Sequence, residues 1–291
     1  MNRTNWRFSD VVGWDSAAVI FLFWLGLLHV PLQWVSDLSW EDSRSFRKPI
    51  LFGISTGLTL ASLLWLMNDL RPRRWDVPLR RVLCGTLVLE VLLITVQSWR
   101  RVPSHFNHAT PLDVVIEVGM LVCILIAVVA IVRLTFRAFQ REAFKEVGSA
   151  RILAQRSGML FLLISCAIGI GITLIGNYQM ILGKSPETYG GEGVLKFPHG
   201  AVLHAIQTLV LWSWIGDFFK WKRVISSTVW LVVSHLFFLF FAMRQTGLGR
   251  ARWDCDQLGW LLLGGAIAAG LASLLVALWP AGTEAASSSS E

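Results

Sequence analysis

VLCGTLVLEVLLITVQSWRRVPSHFNHATPLDVVIEVGMLVCILIAVVAIVRLTF (82–136) decides the architecture. Two apolar runs of roughly 20 residues flank one short polar connection, and runs of that length cross a hydrocarbon layer rather than fill a soluble core. The connection, WRRVPSHFNHATPLD (99–113), carries Arg100, Arg101, Ser104, His105, Asn107 and His108. Gly and Ser would have served as a plain linker. These residues predict the lip of a polar pocket, completed by a second His-bearing segment, FPHGAVLHAIQ (197–207).

The rest of the chain repeats the pattern. Of 291 residues, 54% are hydrophobic and only 15% charged, against roughly a quarter charged in soluble domains. Apolar runs fall at about 16–35, 50–69, 82–99, 112–136, 157–182, 199–218, 224–243 and 258–279, which predicts an all-α bundle of eight transmembrane spans. Residues 1–280 then form one transmembrane domain. A lead-in over 1–15, with Trp6, Phe8, Val11, Val12 and Trp14, suits the interface and lacks the form of a signal peptide. The tail 281–291, AGTEAASSSSE, reads as a disordered cytoplasmic segment.

The net charge of +7 points to basic loops left by topology selection, not to nucleic acid. The N-terminus, the second, fourth and sixth connections and the tail hold 16 of the 26 Lys and Arg residues. That excess predicts an inner-membrane protein with both termini cytoplasmic and 99–113 on the outer face. Cys84, Cys123, Cys166 and Cys255 are widely spaced, which excludes a disulfide framework or a CxxC site. Small residues four apart, Gly53/Gly57/Ala61, Gly264/Ala268/Ala272 and Gly265/Ala269/Ser273, predict close helix contacts within the bundle or between copies of the chain. The eighth span has little polar content and is expected at the periphery.

With that topology all six histidines, His29, His105, His108, His199, His204 and His235, fall in the outer half or the outer loops. Helical spacing pairs His29 with Gln33, Glu90 with Gln97, Asp113 with Glu117 and His204 with Gln207. Ionisable groups inside the hydrocarbon are expensive and normally face a bundle interior or a wet cavity. Glu90, near the bilayer centre, needs a partner or a proton there. Some of these residues have structural duties instead. Thr110-Pro111-Leu112-Asp113 is a good helix start with Thr110 as N-cap, and Arg100 and Arg101 suit headgroup contacts at a span end. Asn177 and Gln179 are two apart, so at most one faces inward.

The chain resembles a family of bacterial multi-pass inner-membrane proteins with no known activity. The resemblance rests on RKPILFGIS (47–55), VQSWRRVPSHFN (96–107) and HGAVLHAIQ (199–207), its most specific part being the Ser-His-Phe-Asn box. Family members carry Arg-Gly before that box, where this chain has Arg100-Arg101. The resemblance groups Lys48, Arg100, Ser104, His105, Asn107, His199, His204 and Gln207.

Three function classes follow. The leading expectation is an outward-facing pocket, lined by Lys48, Glu90, Gln97, Arg100, Ser104, Asn107, Glu117 and Gln207, in which two to four of the histidines bind a divalent transition metal or a b-type haem. A zinc-dependent intramembrane hydrolase, with Asp113 or Glu117 as base, is a variant of it. The spacing lacks an HExxH form, and His199 and His204, five apart, meet one ion only if the helix is irregular. The alternative is a proton-coupled transporter or sensor of a small anionic solute, attracted by Arg44, Arg47, Lys48, Arg100 and Arg101, with Glu90 and Glu117 carrying protons. No broken helix or inverted repeat shows in the sequence to favour it. The blandest class is an assembly subunit whose polar residues only join helices.

Overall fold

A computed structural model describes residues 13–279. The interfacial lead-in, apart from its last residues, and the tail 281–291 lie outside the described residues. The described chain is an all-α bundle: α1 (Trp14–Trp34), α2 (Arg47–Asp69), α3 (Asp76–Trp99), α4 (Pro111–Ala138), α5 (Ser149–Ile181), α6 (Lys196–Leu203), α7 (Ala205–Phe218), α8 (Val224–Gly247) and α9 (Gln257–Leu278). A two-residue antiparallel ladder, β1 (Thr188–Tyr189) with β2 (Gly193–Val194), interrupts the α5–α6 connection. Six of the helices, α1, α2, α4, α5, α8 and α9, are long and apolar enough to cross a membrane. The 24-residue α3 is long enough to span as well, at about 1.5 Å per residue. The expected sixth span is not one helix. It breaks at His204, which ends α6 and precedes α7.

Local sequence explains the helix starts. Thr110 Oγ1 accepts from Asp113 N at 3.2 Å, with Pro111 in the first turn, as its fixed φ and missing N–H allow. Asp256 caps α9 in the same way, accepting from Gly259 N at 2.9 Å.

Helix contacts follow the small residues. A Cβ on Gly53 would stand 2.7 Å from the Gly26 backbone, so α1 and α2 cross almost in main-chain contact. On α9, Ala269 and Ser273 are buried and the Gly265 backbone lies against Phe237 of α8, while Gly264 and Ala268 face outward. Ser273 Oγ also donates to the Ser227 carbonyl of α8 at 2.7 Å. This seats α9 on α8 at the bundle edge. The face of α5 at 158, 165, 169 and 176 receives the broken span: Gly158 meets Ile206, Gly169 meets the His199 ring, and Gly176 meets Phe106 of the 100–110 loop.

The interior is aliphatic, with Leu22, Leu60, Leu63, Leu66, Leu83, Val91, Leu134, Met159, Leu162 and Ile206 in one cluster. The outer surface is apolar too: Val115, Val129, Phe136, Leu174, Leu261 and Leu275 are all exposed. Exposed apolar surface on this scale fits lipid as the solvent.

The two ends of the bundle differ. At one, Arg71 N donates to the Ala143 carbonyl at 2.9 Å, Arg137 pairs with Asp76, Arg80 with Asp15 at 2.8 Å, and Gln155 donates to Asp69 at 2.7 Å. These interactions tie the short connections together. The connections α1–α2, α3–α4, α5–α6 and α8–α9 meet at the other end, where His105 and His108 lie.

Candidate functional site

The 100–110 loop is held from both sides. Glu117 of α4 accepts from Phe106 N at 3.1 Å and Asn107 N at 3.0 Å, and approaches His108 Nε2 at 3.2 Å. Asn107 Nδ2 donates to the Pro103 carbonyl at 3.1 Å. Asp113 accepts from Arg100 at 2.6 Å, Gln97 Nε2 at 3.0 Å and Thr110 Oγ1 at 2.6 Å, and Arg100 also donates to Gln97 Oε1 at 2.5 Å. Asp113 therefore anchors an ion pair as well as a helix start. Glu117, Asn107, Gln97 and Arg100 build the loop, and both carboxylates considered as hydrolytic bases are fully engaged. His108 stands on the rim, half-exposed.

Inside that rim, one face of α2 organises the polar contacts. Lys48, Phe52, Ser55 and Thr59 are spaced four, three and four apart, so they share a helix face. Lys48 Nζ donates to Ser104 Oγ at 3.0 Å, and Ser104 Oγ lies 2.8 Å from His105 Nδ1. Phe52 lies against the His105 ring, centroids 5.9 Å apart. Deeper, Ser55 Oγ is 3.1 Å from His204 Nε2, and Gln207 Nε2 donates to Thr59 Oγ1 at 3.4 Å. The face thus runs from the loop to the break in the sixth span. His105 is held neutral, its pKa pushed down to about 3 by burial, with the Lys48 and Lys196 charges adding.

Before the break, α6 is tied to α5. His199 Nδ1 donates to the Ser165 carbonyl at 2.8 Å, and Ser165 Oγ donates to the His199 carbonyl at 3.1 Å. At the break the His204 and Gln207 side chains interact, and neither His204 Nδ1 nor Gln207 Oε1 has a partner outside that pair.

The six histidines do not gather. His29 Nδ1 donates to the Leu25 carbonyl at 2.6 Å, and Nε2 accepts from Trp99 Nε1 at 3.0 Å. His235 Nδ1 donates to the Leu231 carbonyl at 2.8 Å, leaving Nε2 to Thr208 Oγ1 at 2.9 Å. His199 and His204 turn to α5 and α2 respectively. Among the described residues, no group of three or more His, Cys, Asp or Glu is placed to hold a metal ion.

Glu90 stands apart from this polar line, on α3. It is 7% exposed on α3, and among the described residues no hydrogen bond or ion pair reaches its carboxyl. Of the residues expected in the pocket, the structure brings Lys48, Ser104, His105, His204 and Gln207 to one face of α2, and Glu90 lies on α3 without a contact to that line. Sequence reading missed Ser55, Thr59 and Ser165, although the spacing of Lys48, Ser55 and Thr59 carried the signal.

Together these features describe a multi-pass membrane protein with a polar line descending from a buttressed loop to a broken helix. Compared with family models, with curated proteins and with solved structures, the chain finds no match in any of the three.

Proposed function

We propose that the chain is an inner-membrane carrier that couples the passage of a small anionic solute to protonation of Glu90. Both termini are cytoplasmic in this reading and the histidine end faces outward. The observation that carries it is the unpartnered Glu90 carboxyl at span depth. A carboxylate left charged and unpaired in hydrocarbon is costly, so Glu90 cycles with a proton rather than serving as a structural tie. The broken sixth span supports the same reading. Discontinuous helices at mid-bundle are where carriers bind their cargo. Lys48 and the adjoining Arg47 supply the positive mouth.

The metal or haem reading draws less support. Nε2 of His29, His204 and His235 is already opposite Trp99, Ser55 and Thr208. Glu117, expected to carry protons beside Glu90, instead holds loop amides, and only Glu90 keeps that role.

The test uses proteoliposomes loaded with a pH-sensitive dye and offered a panel of small carboxylates and inorganic phosphate under an imposed proton gradient. Uptake that follows the gradient in the wild type and is lost in a folded Glu90→Gln variant is the expected result. Equal uptake by both would remove Glu90 from the mechanism.

A further inference from the structure

At the histidine end a groove of about 310 Å³ opens between α6, α8 and the α8–α9 connection, lined by Lys196, Phe197, Gly200, Ala201, Phe238 and Arg252. We infer that this groove binds an anionic phospholipid, its phosphate between Arg252 and Lys196 and an acyl chain along Phe197 and Phe238. The inference is independent of the carrier reading.

The groove exists because of residue choice. Gly200 and Ala201 are small, and a Cβ built on Gly200 meets nothing within 4 Å. Aromatic rings stand beside them: Phe197 packs edge-on against Phe238 and Phe241, with centroids 6.0 Å apart in both pairs.

Charge selects the occupant. Arg244 and Arg250 both hold Asp256, at 2.6 and 3.0 Å. Among the described residues no carboxylate pairs with Arg252, whose guanidinium lies over the Phe197 ring at 5.8 Å. Lys196 is paired with Glu187 at 2.5 Å, so the net positive charge at this rim comes from Arg252. Cations above an apolar wall, at the end of a membrane bundle, match a headgroup phosphate above its chain. Free phosphate would leave the aromatic wall unused.

The test is native mass spectrometry of the full chain released from micelles. The micelles hold equal amounts of phosphatidylglycerol and phosphatidylcholine with identical chains. The wild type should retain phosphatidylglycerol preferentially. Arg252→Gln should cut that preference about five-fold, the factor expected for one surface cation. Gly200→Phe, which fills the groove, should remove it. Arg133→Gln, an exposed change at the opposite end, should leave it intact. Equal retention of the two lipids by the wild type, or an unchanged preference in Arg252→Gln, would overturn the inference. So would displacement of the lipid by millimolar inorganic phosphate, which would assign the groove to a soluble anion. Should Gly200→Phe fail to fold, the exposed Arg252 variant decides alone.

Discussion

The Ser55 hydroxyl lies 3.1 Å from His204 Nε2, and this contact pins the middle of α2 to the point where α6 gives way to α7. The interruption at His204 takes the backbone out of the regular helical ladder although the side chains around it are buried, and such interruptions open more easily than an unbroken helix. Amides across 203–207 should exchange faster than those of α2 around Leu60 and Leu63. Ser55→Ala should speed them further, at a global cost of about 0.6 kcal/mol, the average for hydrogen bonds between membrane helices. Protection at the break equal to that of mid-α2 would contradict this account.

Glu117 satisfies two backbone donors at once, Phe106 N and Asn107 N. Glu117→Ala leaves both without that acceptor, a loss of about 1–3 kcal/mol if they stay buried. The expected phenotype is a loop cut by protease between 100 and 110 at concentrations that spare the wild type. Glu117→Gln, which keeps one acceptor oxygen, should fall between the two.

Arg101 has φ 58°, in the left-handed region, and its guanidinium lies 4.8 Å from the centre of the Phe46 ring. A backbone in that region suits glycine, which has no Cβ to clash. Arg101→Gly relieves about 1 kcal/mol of backbone cost and forfeits a cation–π contact of about the same size. It should therefore be near neutral in thermal unfolding. Arg101→Val keeps the strain and loses the contact, and should unfold at a clearly lower temperature.

Much of the helical architecture was legible because apolar run length is a direct consequence of bilayer thickness. The Thr110 cap and the Gly53 and Gly265/Ala269/Ser273 faces were equally readable, since each is a local pattern. The break at His204 was not. No Pro or Gly marks 201–215, and the contacts around the break, His199 with Ser165 and His204 with Ser55, join residues distant in sequence. The separation of the histidines was hidden for the same reason: a sequence gives depth in the membrane but not which neighbour a ring meets. His199 and His204 share a segment and serve different helices.

The Gly26–Gly53 crossing offers a packing test. A Cβ on Gly53 would fall 2.7 Å from Gly26 backbone atoms, which cannot rotate away. Gly53→Val should push α1 off α2 and destabilise by about 1–3 kcal/mol, the usual range for overpacking. Gly264→Val, at an outward-facing position on α9, should cost far less in the same thermal assay.

His105 gives the pH dependence its sign. Its pKa falls from the ordinary 6.5 to about 3 in the folded chain. Below pH 6.5 the unfolded chain takes up a proton that the folded chain refuses, so stability falls as pH drops from about 6.5 toward about 3. His105→Gln, which cannot titrate, should flatten that slope in chemical unfolding between pH 6.5 and 4.5. An identical slope in both proteins would place the titration elsewhere.

The central claim rests on the lone carboxyl of Glu90, and infrared spectroscopy of the folded protein in lipid reads it directly. A protonated carboxyl stretch should be present near neutral pH, shift when an inward proton gradient drives solute uptake, and be missing in Glu90→Gln. A spectrum identical in wild type and Glu90→Gln, with gradient-driven uptake intact in both, would contradict the account.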